Sequence, residues 1–520
     1  MNNKAPAIIF VAVLASLLEI IDTSIVNVAL PNMMGNLGAT LEDISMVITG
    51  YAIANAVVLP VSAWLSERLG RRPYYLGCIL LFTATSVACG FAPNLETLIV
   101  FRILQGLAGG ALLPTSQALI YEQFPPEKAG IAGAIFGMSV MVGPALGPVL
   151  GGYLTDTFGW RSIFNVNLPL GLLAFFVGAA VIQEPEHMLA NKGKPRGKFD
   201  AVGLGLLVAG IGCLQFMLER GEADGWFESA TIITNAMVAA ISLPMFVWWE
   251  LRVKDPIIDI RLFKDSVVSC GVSLMAAVGF FLYAVVFLLP VFVARVFHYD
   301  ATQTGELFIP GSILTMIMMP IVGRQMAAGR NPKILIFIGL ASIEVCLYLM
   351  TLFSPLSSYS QMLVMLFARG FGLAFLFVPI NSSILSQFKG AQVGQVAGLL
   401  NLSRQIGGSI GIALVATLLS KNGYQNYLDL VSHVSLLNPN TQQAYQQQIN
   451  GMASKMTDSL GMGQATIATM RAMTYRVQNQ VFMMSFNQLI WMIMGIFVFA
   501  FIPLFLMKFR VKPKVVADSH

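Results

Sequence analysis

Hydrophobic runs of about twenty residues recur along the chain, separated by short polar or charged breaks. A helix rises about 1.5 Å per residue, so about 20 apolar residues cross a hydrocarbon layer of about 30 Å. By that measure the pattern predicts fourteen membrane spans, roughly 7–30, 44–64, 73–91, 98–120, 129–153, 162–182, 199–218, 230–249, 267–293, 304–322, 333–353, 360–386, 392–419 and 485–507. Two segments break the rhythm. Residues 183–198 (QEPEHMLANKGKPRGK) read as a polar linker, and residues 420–484 as a long insertion, Gln-rich around TQQAYQQQIN. A connection that long is functional or disordered more often than a simple loop, and some amphipathic helix is expected in it.

Composition agrees with the pattern. The 520 residues are 56% hydrophobic and 11% charged, whereas soluble domains are about 25% charged. Lipid cannot solvate ions, so this depletion marks an all-α polytopic membrane protein. The five cysteines, Cys78, Cys89, Cys213, Cys270 and Cys346, all fall in apolar segments with no CxxC, which argues against a disulfide framework or a zinc site. The first apolar run is too long for a secretory signal and lacks a small-residue cleavage site, so it is expected to be the first span.

Lys and Arg set the orientation. With the N-terminus inside, 21 of the 31 positive residues lie on the cytoplasmic side, seven lie outside and three (Arg102, Arg369, Arg404) fall within spans. Four of the seven outside belong to the 420–484 segment, where the rule loses force. Both termini are therefore expected in the cytoplasm.

The chain also resembles itself. AGAIFGMSVMVGPALG (132–147) and AGLLNLSRQIGGSIG (397–411) share an Ala-Gly start and a later glycine, Gly143 against Gly408. RILQGLAGGALLP (102–114) is echoed by FARGFGLAFLFVP (367–379). Spans 4 and 5 thus match spans 12 and 13. That spacing predicts a six-helix half at 1–182, a central piece at 183–266 holding two inserted helices, and a second half at 267–520 that includes the external 420–484 segment. Repeated halves are a common plan for secondary transporters, with the substrate site near the midplane between them.

Four stretches carry candidate chemistry. Span 1 reads LLEIIDTSIVNVALP (17–31), and a charge at the bilayer centre costs about 2.5–3.5 kcal/mol even on the lenient insertion scale. Glu19 and Asp22 share one helical face close to mid-membrane, with Asn27 further along. Burial favours a neutral carboxyl and a nearby cation such as Arg102 favours the ionised one, so an acid between them can exchange a proton. A fixed Asp22–Arg102 ion pair would satisfy the same residues. In span 4, FRILQGLAGGALLP (101–114), Arg102 and Gln105 share a face, and Gly106 and Gly110 let another helix approach. In span 5, GPALGPVLGG (143–152), Gly143, Gly147 and Gly151 form a small-residue stripe followed by Gly152, and Pro144 and Pro148 each remove a helical hydrogen bond. Plain helix packing is sufficient to explain that stripe. The loop AWLSERLGRRPYYL (63–76) packs Glu67, Arg68 and Arg71 around Gly70, a turn able to hold a neighbouring helix in one state and release it in another; basic residues that merely keep the loop inside are the alternative.

These stretches resemble motifs of the major facilitator superfamily: its signature loop, with Ala63 for the first Gly and Glu67 for the Asp; its span-4 Arg; and its span-5 antiporter motif. DTSIVNVALP (22–31) is similar to the span-1 motif of the drug:proton antiporters. FDAVGLGLLVAGIGCLQFMLERGEADGWF (199–227) and DPIIDIRLFKD (255–265) look like the inserted helices and following linker of the fourteen-helix EmrB/QacA group. The resemblance implies the superfamily fold and export of amphipathic toxic compounds by proton antiport across a bacterial inner membrane. Proton coupling falls to Asp22, Glu19 and Arg102, with Asp22 the stronger candidate because it matches the motif. The 420–484 segment looks more like the EmrB branch, which works with a periplasmic adaptor protein and an outer-membrane channel.

Further in-membrane polar residues are candidates for the substrate cavity: Asn27, Gln105, Gln117, Glu344, Asn381 and Arg404, with Glu306, Arg369 and Asn401 beside them. Phe280, Phe281, Tyr283 and Phe287, with Met316, Met318 and Met319, supply adaptable apolar surface of the kind that suits promiscuous binding. No P-loop, GxSxG, HExxH or dinucleotide fingerprint is present, so no enzyme activity, cofactor, metal or nucleic-acid partner is expected. Energy must then come from a gradient, and one charge is worth about 2.3 kcal/mol per 100 mV. Export of one native metabolite, such as a siderophore or lipid precursor, is the rival reading; a membrane-embedded enzyme or passive channel is a more distant one.

Overall fold

The computed structural model describes residues 4–184, 199–433, 442–443, 446–447 and 462–508. The 185–198 part of the linker, most of the Gln-rich run and the C-terminal basic residues lie outside the described residues. Helices make up the fold, with no strand among the described residues. We label them α1 (Ala5–Leu37), α2 (Leu41–Leu69), α3 (Arg71–Gly90), α4 (Leu95–Gly109), α5 (Leu112–Glu122), α6 (Ala129–Phe158), α7 (Ser162–Asn165), α8 (Asn167–Val181), α9 (Ala201–Arg220), α10 (Ala230–Glu250), α11 (Ser266–Phe297), α12 (Ala301–Ala327), α13 (Pro332–Thr351), α14 (Tyr359–Leu385), α15 (Ala391–His433), α16 (Met462–Val498) and α17 (Phe501–Leu506). Three expected spans are split in two: α4 with α5, α7 with α8, and α16 with α17. Counted that way the helices make fourteen crossings.

Most helices overrun their apolar windows, because caps rather than hydropathy end them. Thr40 caps α2 through the Asp43 amide, Asn94 caps α4 through Thr97, and Asp300 with Gln303 closes a capping box on α12. The largest overrun carries helix into the 420–484 segment, where some was expected. Helix α15 runs unbroken for 43 residues, about 65 Å at 1.5 Å per residue, and so stands well clear of a hydrocarbon layer of about 30 Å. Helix α16 begins at Met462 and returns alongside it, and Asn426 donates to Ser485 at 2.9 Å and to Gln488 at 3.1 Å.

The two halves obey one packing scheme. Gly143 on α6 lies against Ile20 of the first span, and its repeat partner Gly408 on α15 lies against Tyr283 of α11, the first span of the second half. The halves meet at the face that carries the basic loops. Gly130 of α6 and Gly323 of α12 approach so closely that a Cβ on either would lie 2.5 Å from the other's carbonyl oxygen. Nearby, Gly398 sits against the Leu59 carbonyl and Gly394 against Ala63. Toward the opposite face a further helix bridges α2 and α15. Arg220 at the end of the inserted α9 donates to the Glu42 carbonyl and to Ser45 on α2, at 2.8 and 2.9 Å. On its other side Gln215 donates to Ser409 of α15 at 2.5 Å, Ser409 donates to Glu219 at 3.1 Å, and Trp226 donates to Thr417 at 2.9 Å. The first inserted helix is therefore a wedge at the seam, and α10 packs on its outer side.

Candidate functional site

Arg102 and Asp22 form an ion pair at 2.5 Å, with both side chains almost wholly buried. Each is satisfied by further bonds. The Arg102 guanidinium also donates to Gln105 Oε1 at 2.7 Å and to the Val47 carbonyl at 3.2 Å, and it lies 4.2 Å over the Tyr51 ring. The second Asp22 oxygen accepts from Gln105 Nε2 at 2.8 Å and from Asn167 Nδ2 at 3.0 Å. Asn167 also donates to Ser86, which donates to the Phe164 carbonyl. Every member of this network belongs to the first half. A buried ion pair persists when further bonds satisfy its polar atoms, and here Asp22 has three donors and Arg102 two further acceptors.

Glu19 has a separate setting. It is 3% exposed, and its two oxygens accept from Asn55 Nδ2 at 2.8 Å and from the Leu113 backbone amide at 3.1 Å. That amide is free because span 4 is broken. Pro114 has no N–H to continue the ladder, and a side chain at Gly110 would collide with the Asn55 carbonyl, 2.6 Å from a Cβ. The break starts α5 at Leu112, so the Leu113 amide is one of the donors at a helix start that have no partner within the helix.

The span-5 stripe grips the segment carrying both acids. Gly143, Gly147 and Gly151 receive Ile20, Ser24 and Ile25 directly on their backbones, whereas Gly152 faces Thr302 of the other half. Pro144 and Pro148 fall within α6 without interrupting it.

The amides predicted for the cavity form a bridge between halves. Gln117 of α5 donates to Asn381 of α14 at 2.7 Å and accepts from Asn401 of α15 at 2.7 Å. One turn further toward the basic face, Tyr121 and Ser382 are 3.3 Å apart and Ser382 donates to the Ala129 carbonyl at 3.1 Å. Arg404 on α15 is buried with its Nε unpartnered. Arg369 on α14 lies 5.3 Å over the Phe308 ring and its Nε also has no partner.

Two predicted cavity residues stand apart. Asn27 is exposed and donates to its own helix at Thr23, away from the Asp22 network. Glu344 sits on α13 between buried Leu340 and Leu347 and exposed Phe337 and Tyr348, and joins neither the Asp22 network nor the amide bridge. Glu306 is exposed near the start of α12.

The signature loop is built around Gly70, whose φ of +92° strains any side chain and which has Glu184 at its Cα. Glu184 accepts from the Arg71 and Arg72 amides, both at 3.1 Å, and so fills the N-terminus of α3. Arg71 pairs with Glu122 of α5. Glu67 and Arg71 line a cavity of about 20 Å³, large enough for one water, with Gly394 of the second half on its far wall. Arg68 stacks over Trp64 at 4.5 Å.

Sequence reasoning missed Asn55, Asn167, Ser86 and the Leu113 amide. Asn55 and Asn167 carried a usable signal as amides inside or beside apolar runs; the backbone donor carried none apart from Gly-Gly before Pro114.

Residues 12–412 match the model of the Major Facilitator Superfamily. The chain is 33% identical over 485 residues to the multidrug export protein EmrB of Escherichia coli K12, covering 93% of this chain and 91% of that one. The chain belongs to the Major Facilitator Superfamily, in its EmrB-type branch. It is also 34% identical over 423 residues to the fatty acid resistance protein FarB of Neisseria gonorrhoeae, covering 81% of this chain and 82% of the relative. Among solved structures, the human organic anion transporter MFSD10 superposes with a TM-score of 0.59 at 16% identity, covering 80% of this chain and 93% of that one. The proton:xylose symporter XylE gives 0.58 at 16% identity, covering 81% and 90%. At that identity the structural likeness speaks for the superfamily fold alone.

Proposed function

We propose that this protein is a proton-coupled antiporter that exports amphipathic toxic compounds across a bacterial inner membrane, with both termini in the cytoplasm. The observation that carries the reading is the pair of buried acids on α1, set beside Arg102 in a chain one third identical to a multidrug exporter over nearly its whole length. A transporter with no nucleotide-binding motif needs an ionic gradient, and buried carboxyls within a membrane helix are suited to exchange a proton with it. With the basic face cytoplasmic, the contacts at Gly130–Gly323 and Tyr121–Ser382 close the cytoplasmic side, and the state described here is closed inward. Proton entry from outside to the α1 acids would favour inward opening; substrate arriving from the cytoplasm or the inner leaflet restores the ionised form and is expelled.

The paired extensions of α15 and α16 support an external partner of the adaptor type, with an outer-membrane channel beyond it. Tyr424, Tyr427, Leu428 and Val431 on α15 share one helical face and are exposed, which offers a partner helix an apolar strip.

Efflux of a panel of chemically unrelated lipophilic cations and fatty acids from proteoliposomes, driven by an imposed pH gradient, tests the reading. Uphill movement of several compounds that stops when the gradient is collapsed supports it. Movement of one compound alone would favour a dedicated metabolite exporter, and downhill leakage without coupling would refute it.

A further inference from the structure

We propose that Asp200 and Glu250 form a second proton-binding site, apart from the acids of α1, and that the proton they share holds the linker after α10 docked across the seam between the halves. The site goes beyond the transport reading above, since it belongs to the inserted pair and shares no bond with the α1 network among the described residues.

Asp200 stands just before α9, and Glu250 is the last residue of α10, one position past its expected apolar window. Phe199, next to Asp200, packs on Trp64 of α2 at 5.2 Å, which places the pair at the basic face. Asp200 is 7% exposed and Glu250 1%. One oxygen of each is bonded. Asp200 Oδ1 caps α9 by accepting from the Gly203 amide at 2.8 Å and also accepts from Trp249 Nε1 at 2.9 Å. Glu250 Oε2 accepts from the Ile258 amide at 3.3 Å. The remaining oxygens, Asp200 Oδ2 and Glu250 Oε1, are buried without a partner. Both are aimed at one spot. A Cβ built on Gly203 would lie 2.4 Å from Asp200 Oδ2 and 2.6 Å from Glu250 Oε1, so the two oxygens are at most 5.0 Å apart.

Two carboxylates facing each other out of water repel, and holding one proton between them relieves this; that proton belongs to the pair rather than to either acid. It also supplies the donor that two bare acceptors lack. No cation takes that place, since neither carboxylate has an ion pair among the described residues. The first three turns of α9 and the last turn of α10 bring no other ionisable side chain. In the linker, Arg252 lies over Trp248 at 3.9 Å, and Arg261 donates to the Leu251 carbonyl at 3.2 Å and, through its amide, to Asp259. Lys254, Asp255 and Lys264 are exposed, and Asp265 caps α11. Helix α2 brings Arg68, stacked over Trp64 and Phe199, and Glu67 at the water-sized cavity; α15 brings buried Arg404.

What the proton secures is the Glu250–Ile258 bond. Ile257 and Ile258 are buried in one apolar cluster with Leu59 and Trp64 of α2 and with Leu399 and Leu402 of α15. The linker thus joins both halves at the face where they must part for inward opening. With the proton in place, Glu250 stays beside Asp200 and keeps hold of Ile258. Without it the two charges push apart, and the linker loses its tether. With the basic face cytoplasmic, the site is a brake that an alkaline cytoplasm releases, the condition under which protons run inward.

The test uses the full chain in lipid nanodiscs, its native cysteines replaced, with spin labels on Lys254→Cys in the linker and Lys389→Cys in the second half, both exposed positions. The distance between labels is read from about pH 6 to about pH 9, without substrate or gradient. A short, docked distribution at low pH should give way to a longer one, the ratio of released to docked rising about tenfold per pH unit, as for one proton. Glu250→Gln offers an amide donor to Asp200 and an acceptor to Ile258, so it should stay docked throughout; Asp200→Asn, an equal helix cap, should do the same. A distance that ignores pH in the unmodified protein, or that responds fully in Glu250→Gln, would overturn the proposal. So would release governed by added potassium or magnesium at fixed pH, which would make the pair a metal-ion site. Ethidium efflux from proteoliposomes at a fixed pH difference should rise with internal pH in the unmodified protein and stay flat in Glu250→Gln; equal profiles would refute the brake. Absence of any gradient-driven efflux would sink the antiport reading alone, because the label distances decide this site without transport.

Discussion

Gly147 of α6 carries Ser24 of α1 directly on its backbone, with no room for a side chain between the two helices. The contact lies between Gly143 on Ile20 and Gly151 on Ile25, so the stripe fixes the depth and rotation of the turn that bears Asp22. Gly147→Leu is expected to force α1 away and to cut transport at least about tenfold, as misplacing reacting groups by about 1 Å commonly does. Gly152→Ala, whose added Cβ would lie 3.4 Å from Thr302 in ordinary contact, should leave transport within about twofold. Efflux normalised to folded protein in the membrane measures both. Equal tolerance at the two positions would show that the stripe does not position α1.

The Asp22–Arg102 pair makes a separate prediction about stability. Removing one partner of a buried pair leaves an uncompensated charge and costs about 3–5 kcal/mol, whereas removing both is close to neutral. Arg102→Met should therefore lower the unfolding midpoint in detergent well below that of the Asp22→Asn/Arg102→Met double variant. A double variant no more stable than the single one would mean that the pair is not held as described.

Closure of the basic face depends on contacts that must part for substrate to enter from that side. Tyr121 and Ser382 are 3.3 Å apart across the seam. In a chain lacking its native cysteines, Tyr121→Cys with Ser382→Cys should be joined by a short thiol cross-linker, and joining them should abolish efflux without changing expression. Cross-linked protein that still transports would mean that the cytoplasmic path opens elsewhere.

The sequence displayed the charged part of this site and concealed the neutral part. Glu19, Asp22 and Arg102 stand out because each ion in an apolar run demands an explanation, and Gln105 follows from its spacing to Arg102. Asn55 and Asn167 are cheap in a helix and raise no such demand, although they complete the bonding of both acids. The Leu113 amide was out of reach, since a backbone donor becomes available only where a helix breaks. Hydropathy located the inserted α9 as a span but could not say which helices it touches. Hydropathy likewise marks apolar windows and not helix ends: Asn426 lies beyond the window of α15 yet stays in the helix, bonded across the pair to Gln488 of α16.

The wedge formed by α9 yields the last prediction. It is bonded to α2 through Arg220 and to α15 through Gln215, Glu219 and Trp226, and the outer ends of α2 and α15 must approach when the opposite face opens. One set of bonds then has to break. The side facing α15 is the less satisfied, because Gln215 Oε1 is buried without a partner, while the Arg220 guanidinium has both Ser45 and Asp224 in addition to the Glu42 carbonyl. An unsatisfied buried polar atom costs about 1–3 kcal/mol, which weakens that side relative to the other. Helix α9 should therefore travel with the first half and part from α15. Joining Ser45→Cys to Arg220→Cys with a short cross-linker should leave efflux within about threefold, whereas joining Gln215→Cys to Ser409→Cys should stop it by removing a change between states that transport requires. The reverse pattern would assign the inserted pair to the second half, and loss of efflux in both would make it a fixed strut that bends rather than parts.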